Sequence, residues 1–326
     1  MELDRNLNLL NEYPEIYEEM KLVENYIREN IKSRNKTLES IVETLILSGG
    51  KRLRPLFVIN SAKFGKYKRE KAIPIAGALE ILHTATLVHD DIIDNAKTRR
   101  GIVTVSEKYG TDMAIYTGDF LFTKAVIMMS GKVPEDKMET IAKALKTICE
   151  GEVDQFLDRF KINTSIISYL KRIFRKTALL FTAACTLGSN SADCKANDIK
   201  KLGRFGFYYG MAFQIRDDIN DFVLTEKDTG KPIGNDISRG IITLPAIYAM
   251  VKSRAVQETV LSFKGRENRI NKEEIDKAID MVIELGGVND AEKLLAKYID
   301  RGLELLDTFP DSTYKNLFRD LITGLA

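Results

Sequence analysis

The chain has 326 residues, 44% of them hydrophobic and 29% charged, which is the composition of an ordinary soluble globular protein. A formal net charge of +2 supplies no field that would draw nucleic acid, so none is expected as a partner. Three cysteines, Cys149, Cys185 and Cys194, show no metal-type spacing, and their odd count fits a reducing, cytoplasmic setting.

The chain starts with a polar stretch carrying Glu2 and Asp4, which is not a signal peptide. Uncharged stretches such as 177–191 fall short of the ~20 residues a membrane span needs, so no transmembrane segment is expected. Residues 15–31 and 38–47 carry the spacing of amphipathic helices, and Ser48-Gly49-Gly50 stops the second. Lys51, Arg52 and Arg54 then precede an apolar helix at 56–64, with Pro55 suited to its first turn. A helix N-terminus flanked by cations makes an anion site, although an ordinary basic loop has the same composition. The basic run 63–71 reads as a solvated turn.

Pro74 opens the next helix, and the stretch 76–101 organises the rest of the chain. It is an apolar run with one charge, Glu80, between Ile75 and Val88, and then ends in Asp90, Asp91 and Asp94. An all-round apolar run is a buried helix, and buried charges must be paired or bind metal. The D-D-x-x-D spacing sets Asp90 and Asp94 one turn apart on one face. His83, one of only two histidines, lies two turns earlier on the same stripe; the other is His89.

Arg99-Arg100-Gly101 forms a turn, followed by helices at 112–129 and 143–160. The helix at 168–187 carries Lys176-Thr177 in an apolar half, where a lysine either snorkels to solvent or reaches an anion. The helix at 200–222 repeats the earlier pattern, an apolar and aromatic run leading into Asp217, Asp218 and Asp221. A polar loop at 225–240 contains Gly230-Lys231-Pro232. Helices at 243–251, 272–285, 288–309 and 312–325 close the chain. With 7 prolines, little strand-like alternation and no flexible linker, residues 1–326 read as one all-α domain.

One D-D-x-x-D cluster is satisfied by a solvated helix end. Two, each ending a buried run with basic residues nearby, point to carboxylates facing across one cavity. Each close pair of them would repel by about 4 kcal/mol at an effective dielectric of about 20. Hard divalent cations remove that cost, and magnesium keeps coordination sites for water and phosphate oxygens. The pattern predicts a metal-bridged diphosphate site.

The motifs GGKRLRP (49–55), HDDIID (89–94), RRG (99–101), KT (176–177), QIRDDIND (214–221) and GKP (230–232) resemble, in order, those of the trans-type isoprenyl diphosphate synthases. The resemblance implies an all-α, single-domain bundle of about a dozen helices around a central cavity, working as a homodimer. It implies elongation of an allylic diphosphate by isopentenyl diphosphate, with two to three magnesium ions per site. Carried over by position, Asp90, Asp94 and Asp217 are principal metal ligands, Asp221 a further one, and Asp91 and Asp218 support them. Lys51, Arg54, His83 and Arg100, with Gly50 in the same loop as the first two, hold isopentenyl diphosphate. Arg99, Lys176, Thr177, Gln214 and Lys231 hold the allylic diphosphate. One departure stands out: Ile241 occupies a position where many members carry a second lysine, and Arg239 is the nearest cation to compensate.

The chemistry explains the residue types. Diphosphate leaves only when its charge is neutralised, here by metal on six carboxylates with Arg99, Lys176 and Lys231. The allylic cation left behind needs an apolar well, to which Phe213 offers a ring face. The isopentenyl alkene is held close for attack, and the departing diphosphate takes the final proton. The growing tail runs down the helix before Asp90, past Thr86, Ala85, Leu82 and Ala78. Small residues at the top of that well predict a product longer than a geranylgeranyl chain; a geranylgeranyl- or farnesyl-length product is the alternative. A class I terpene cyclase would not need the second diphosphate site implied by Lys51, Arg54 and Arg100. A non-catalytic subunit of a heteromeric synthase would be expected to lose carboxylates. A phosphohydrolase built on His89-Asp90 would want metal-binding histidines farther apart.

Overall fold

The computed structural model describes residues 9–99, 101–224, 233–266 and 269–326. The chain divides into two compact units, residues 1–139 with 183–203, and residues 140–182 with 204–326. The architecture is all-α. Among the described residues, the only strands are β1 (Thr98–Arg99) and β2 (Ile102–Val103), an antiparallel pair in which Thr98 faces Val103 and Arg99 faces Ile102.

In the first unit, α1 (Pro14–Asn30), α2 (Lys36–Leu47) and α3 (Leu53–Ala62) lead to α4 (Arg69–Ile93). The first two begin for local reasons. Pro14 stands in the first turn of α1, and the Asn35 side chain accepts the Leu38 N–H at the start of α2. Helix α4 is the centre: every residue from Ala72 to Leu82 is buried. It packs most extensively on α6 (Thr111–Met129), and also on α3 and α1. The short α5 (Val105–Tyr109) joins the hairpin to α6, with Thr104 as its cap.

The sequence places the start of α4 at Pro74, but the helix begins at Arg69 and Pro74 lies inside it. Proline there removes only one backbone bond, close to an end where the first N–H groups lack helical partners anyway. By length and composition α4 could also cross a membrane, unlike the uncharged stretches weighed above. In this fold 67% of its most apolar window is buried against protein.

Helix α7 (Glu135–Leu157) starts eight residues before the helix expected at 143. The expected 168–187 helix is three pieces: α8 (Ile166–Ile173), a π-helical turn (Phe174–Ala178) and α9 (Leu179–Ser191). Helix α10 (Ala196–Val223) carries the second aspartate cluster, and α11 (Asn235–Ser238) follows it in the described chain. In the second unit α12 (Leu244–Lys252), α14 (Lys272–Glu284), α15 (Gly287–Asp307) and α16 (Thr313–Thr323) pack on one another, with α13 (Arg254–Ser262) beside α12 and α14. An Asn271–Glu274 capping box starts α14. The core of this unit is aromatic: Phe205 lies 4.6 Å from Phe318, and Phe181 lies 5.0 Å from Tyr209, centroid to centroid.

Candidate active site

The first unit supplies a cationic loop and the first aspartate cluster. Gly49 (φ 77°), Gly50 (φ 146°) and Arg52 (φ 46°) coil the loop before α3 through the left-handed region, which glycine enters freely and arginine does not. Arg52 is held there by two bonds. Its Nη1 donates to Glu80 Oε1 at 2.8 Å and its Nη2 to the Ile46 carbonyl at 2.6 Å. Glu80, the one charge in the apolar run of α4, is 2% exposed, so Arg52 is spent on its neutralisation. Lys51 and Arg54 flank Arg52, both half-buried, at the N-terminus of α3.

At the other end of α4, His83, Thr86, Leu87, Asp90 and Asp94 form a partly exposed stripe on an otherwise buried helix, with Asp94 as its C-cap. Asp91 points the other way and is 4% exposed. Its Oδ1 accepts the Arg99 Nε–H at 2.5 Å, across the turn that returns the chain to the hairpin. Arg99, expected to hold a diphosphate, is thus engaged by a carboxylate here. Among the residues named for tail length, Ala78, Leu82 and Ala85 are at most 1% exposed, inside the packed core. Thr86 shares the open stripe, its hydroxyl donating to the His83 carbonyl. Arg100 and Lys231 lie outside the described residues.

The second unit supplies the other cluster. On α10, Phe213, Gln214 and Asp221 are partly exposed and Asp217 is exposed, while Gly210, on the same face, is buried. Asp218 is 3% exposed and both of its oxygens are used. Oδ2 accepts the Tyr169 hydroxyl at 2.7 Å, and Oδ1 accepts Gln214 Nε2 at 2.8 Å. Thr177, in the π-helical turn, donates to Gln214 Oε1 at 2.5 Å, which fixes the orientation of that amide. Lys176, next to it, reaches Glu152 Oε2 at 3.2 Å. A π turn inserts an extra residue and re-aims the side chains around it, a frequent device at functional sites.

Burial, and then the nearby Asp236, push the Asp218 carboxyl up to about 7. Asp221 is pushed up for the same two reasons, although its Oδ2 accepts the Asp236 N–H. Burial likewise raises the Tyr169 phenol, so it stays a donor to Asp218. A neighbouring cation would reverse the cost of charging these carboxyls. Ile241 donates its N–H to the Asp236 carbonyl, and the Arg239 carbonyl accepts Arg159 Nε.

Among the described residues no group of three His, Cys, Asp or Glu side chains gathers at metal-binding distance. Each cluster nonetheless offers only hard carboxylate oxygens, the donor set that suits magnesium or calcium and not a soft metal. Tyr169, Glu152 and Asp236 escaped the sequence reading, since each meets the site through a partner on another helix or loop.

A family model described as polyprenyl synthetase matches residues 35–282. Component 2 of the heptaprenyl diphosphate synthase of Geobacillus stearothermophilus is 37% identical over 309 residues, 95% of each chain. The crystal structure of heptaprenyl diphosphate synthase from Staphylococcus aureus superposes with a TM-score of 0.89 at 36% identity, covering 95% of this chain and 97% of that one. A polyprenyl synthase from Caulobacter crescentus, crystallised with calcium and isoprenyl diphosphate, gives 0.90 at 31% identity, covering 99% and 97%.

Proposed function

Because the chain belongs to the polyprenyl synthetase family, it is a prenyltransferase with the isoprenoid-synthase fold, and we propose that it adds isopentenyl diphosphate repeatedly to an allylic diphosphate primer. The observation that carries this reading is the paired design of α4 and α10. Each ends in an open stripe of carboxylates, Asp90 and Asp94 on one and Asp217 and Asp221 on the other, beside a buried aspartate anchored by hydrogen bonds.

In this proposal residues 1–326 act as one domain, and Asp90, Asp94, Asp217 and Asp221 would hold magnesium so that both stripes would serve a single diphosphate. Bound magnesium supplies charge neutralisation of the leaving diphosphate. Lys176 and the Thr177–Gln214 pair hold the same headgroup, and Arg99 joins them by exchanging its carboxylate partner for phosphate oxygens. Lys51, Arg54 and His83 hold isopentenyl diphosphate so that its alkene reaches the allylic carbon. Phe213, partly exposed and 5.7 Å from the Phe181 ring, faces the cationic chain. The calcium and isoprenyl diphosphate in the Caulobacter enzyme support a hard-cation, diphosphate site.

The product is longer than a geranylgeranyl chain, as the names of the heptaprenyl relatives suggest. Ala85→Phe should shorten it, read by chromatography of the dephosphorylated products; an unchanged distribution rejects Ala85 as part of the wall. The working unit is a cytoplasmic homodimer. Helix α6 supports this with an exposed apolar stripe of Ile115, Tyr116, Val126 and Ile127, a face that a second copy would bury. A second reading follows from the name of the Geobacillus relative: a component that works only beside a different chain.

One assay decides. The purified chain alone is incubated with radiolabelled isopentenyl diphosphate and allylic primers of one to four isoprene units, with and without magnesium. Magnesium-dependent long products support the proposal. No product from the chain alone, with activity restored by a partner chain, supports the second reading.

A further inference from the structure

Asp90 and Asp94 sit in the last turn and C-cap of α4, where helical backbone bonds run out and position must come from side chains. Asp91, about 100° round the helix from Asp90, is tied down by Arg99. His89 lies about 100° round on the other side. Its ring rests on α6 at Gly118, where a Cβ would stand 2.1 Å from His89 Nε2 and 2.5 Å from Cδ2. Only glycine leaves room for the ring in this pose. The ring also stacks on Phe122 at 5.9 Å, and Nε2 lies 3.4 Å from the Ile115 carbonyl and 3.7 Å from Asp119 Oδ1.

We propose that His89, seated in the notch at Gly118, is a positioning residue that sets the rotation of the last turn of α4 and so aims Asp90 and Asp94. The proposal rests on the reading of these aspartates as metal ligands. The same seat places His89 beside the exposed stripe of α6, so whatever covers that stripe also bears on the seat of the first aspartate cluster.

The test is a double-mutant cycle on the full chain, with His89→Ala, Gly118→Ala and the double variant. The readout is Mn2+ binding by electron paramagnetic resonance in the presence of inorganic pyrophosphate, beside thermal melts. An alanine Cβ at Gly118 would collide with the ring, so Gly118→Ala forces the ring out of its seat. Ejecting the ring and deleting it should therefore have one consequence. Each single variant should lose about tenfold in Mn2+ affinity, and the double variant no more than either. In turnover, the allylic KM should rise while the isopentenyl diphosphate KM holds. Unchanged Mn2+ affinity, or losses that multiply in the double variant, overturns the proposal. If Gly118→Ala does not fold, His89→Ala decides alone, because it removes the ring without inserting an atom. Asp90→Ala separates the two failures. Wild-type Mn2+ binding by that variant overturns the metal-site reading and this inference with it. Lost binding there, beside unaltered His89 and Gly118 variants, overturns only the role of His89.

Discussion

In the first aspartate cluster the middle carboxylate, Asp91, is held by a cation, Arg99; in the second, Asp218 is held by two neutral donors, Tyr169 and Gln214. The sequence spacing is the same, D-D-x-x-D in both, yet the electrostatics differ. An ion pair compensates buried charge at its source. Neutral donors do so only in part, and burial leaves the Asp218 carboxyl raised to about 7. Similar motifs therefore stand differently before any substrate arrives: the buried carboxylate of the first is paired with a cation, whereas those of the second cost more to charge until a cation comes near.

The largest effect expected treats the two clusters alike. Asp90→Ala and Asp217→Ala should each lower kcat on the order of a thousandfold, since each removes a ligand needed to neutralise the leaving group. Initial rates at saturating magnesium check this, and a loss confined to one variant breaks the symmetry of the site. The anchors should then separate the clusters. Arg99→Gln leaves a buried carboxylate without its cation and should cost about 3 kcal/mol of stability. Tyr169→Phe removes one hydrogen bond to a buried oxygen and should cost about 2 kcal/mol. Denaturant melts of the metal-free protein measure both, and the reverse order would contradict the contrast drawn above.

The smallest effect is a pH dependence belonging to the second cluster. The folded-state pKa of Asp218 lies above its ordinary value of 3.8, at about 7. Between those values the folded state binds more protons than the unfolded, so stability falls as pH rises through the window. Metal-free protein should lose stability from pH 4 toward 7, and Asp218→Asn should flatten that part of the slope. Magnesium with pyrophosphate should raise the melting temperature more above pH 7 than below 5. A slope unchanged by Asp218→Asn would assign the effect elsewhere.

Much of this was legible in the chain itself. Helices α4 and α10 declare themselves because an apolar run and a one-turn acidic repeat are both local patterns. The lone Glu80 flagged a buried charge, but nothing local says that Arg52, rather than Lys51 or Arg54, turns inward to meet it. That choice is made by a left-handed residue in a glycine loop. Tyr169 was invisible because its partner is 49 residues away and a π turn intervenes. Asp236 meets Asp221 through a backbone bond across 15 residues. The short elements, α5, α13 and the two-residue strands, carry too few buried positions to set a period; α13 buries only Val256 and Val260. Pro74 points to a helix start by local preference, yet it lies in the second turn of α4, where the burial of the surrounding residues outweighs the lost backbone bond.

One diphosphate served by both clusters is the central feature of the proposed mechanism. Anomalous diffraction from crystals grown with Mn2+ and inorganic pyrophosphate tests it directly. Manganese ions ligated by Asp90 or Asp94 and others ligated by Asp217, all contacting the same pyrophosphate, are the predicted result. Manganese at one cluster only, or pyrophosphate bound away from both, would contradict it.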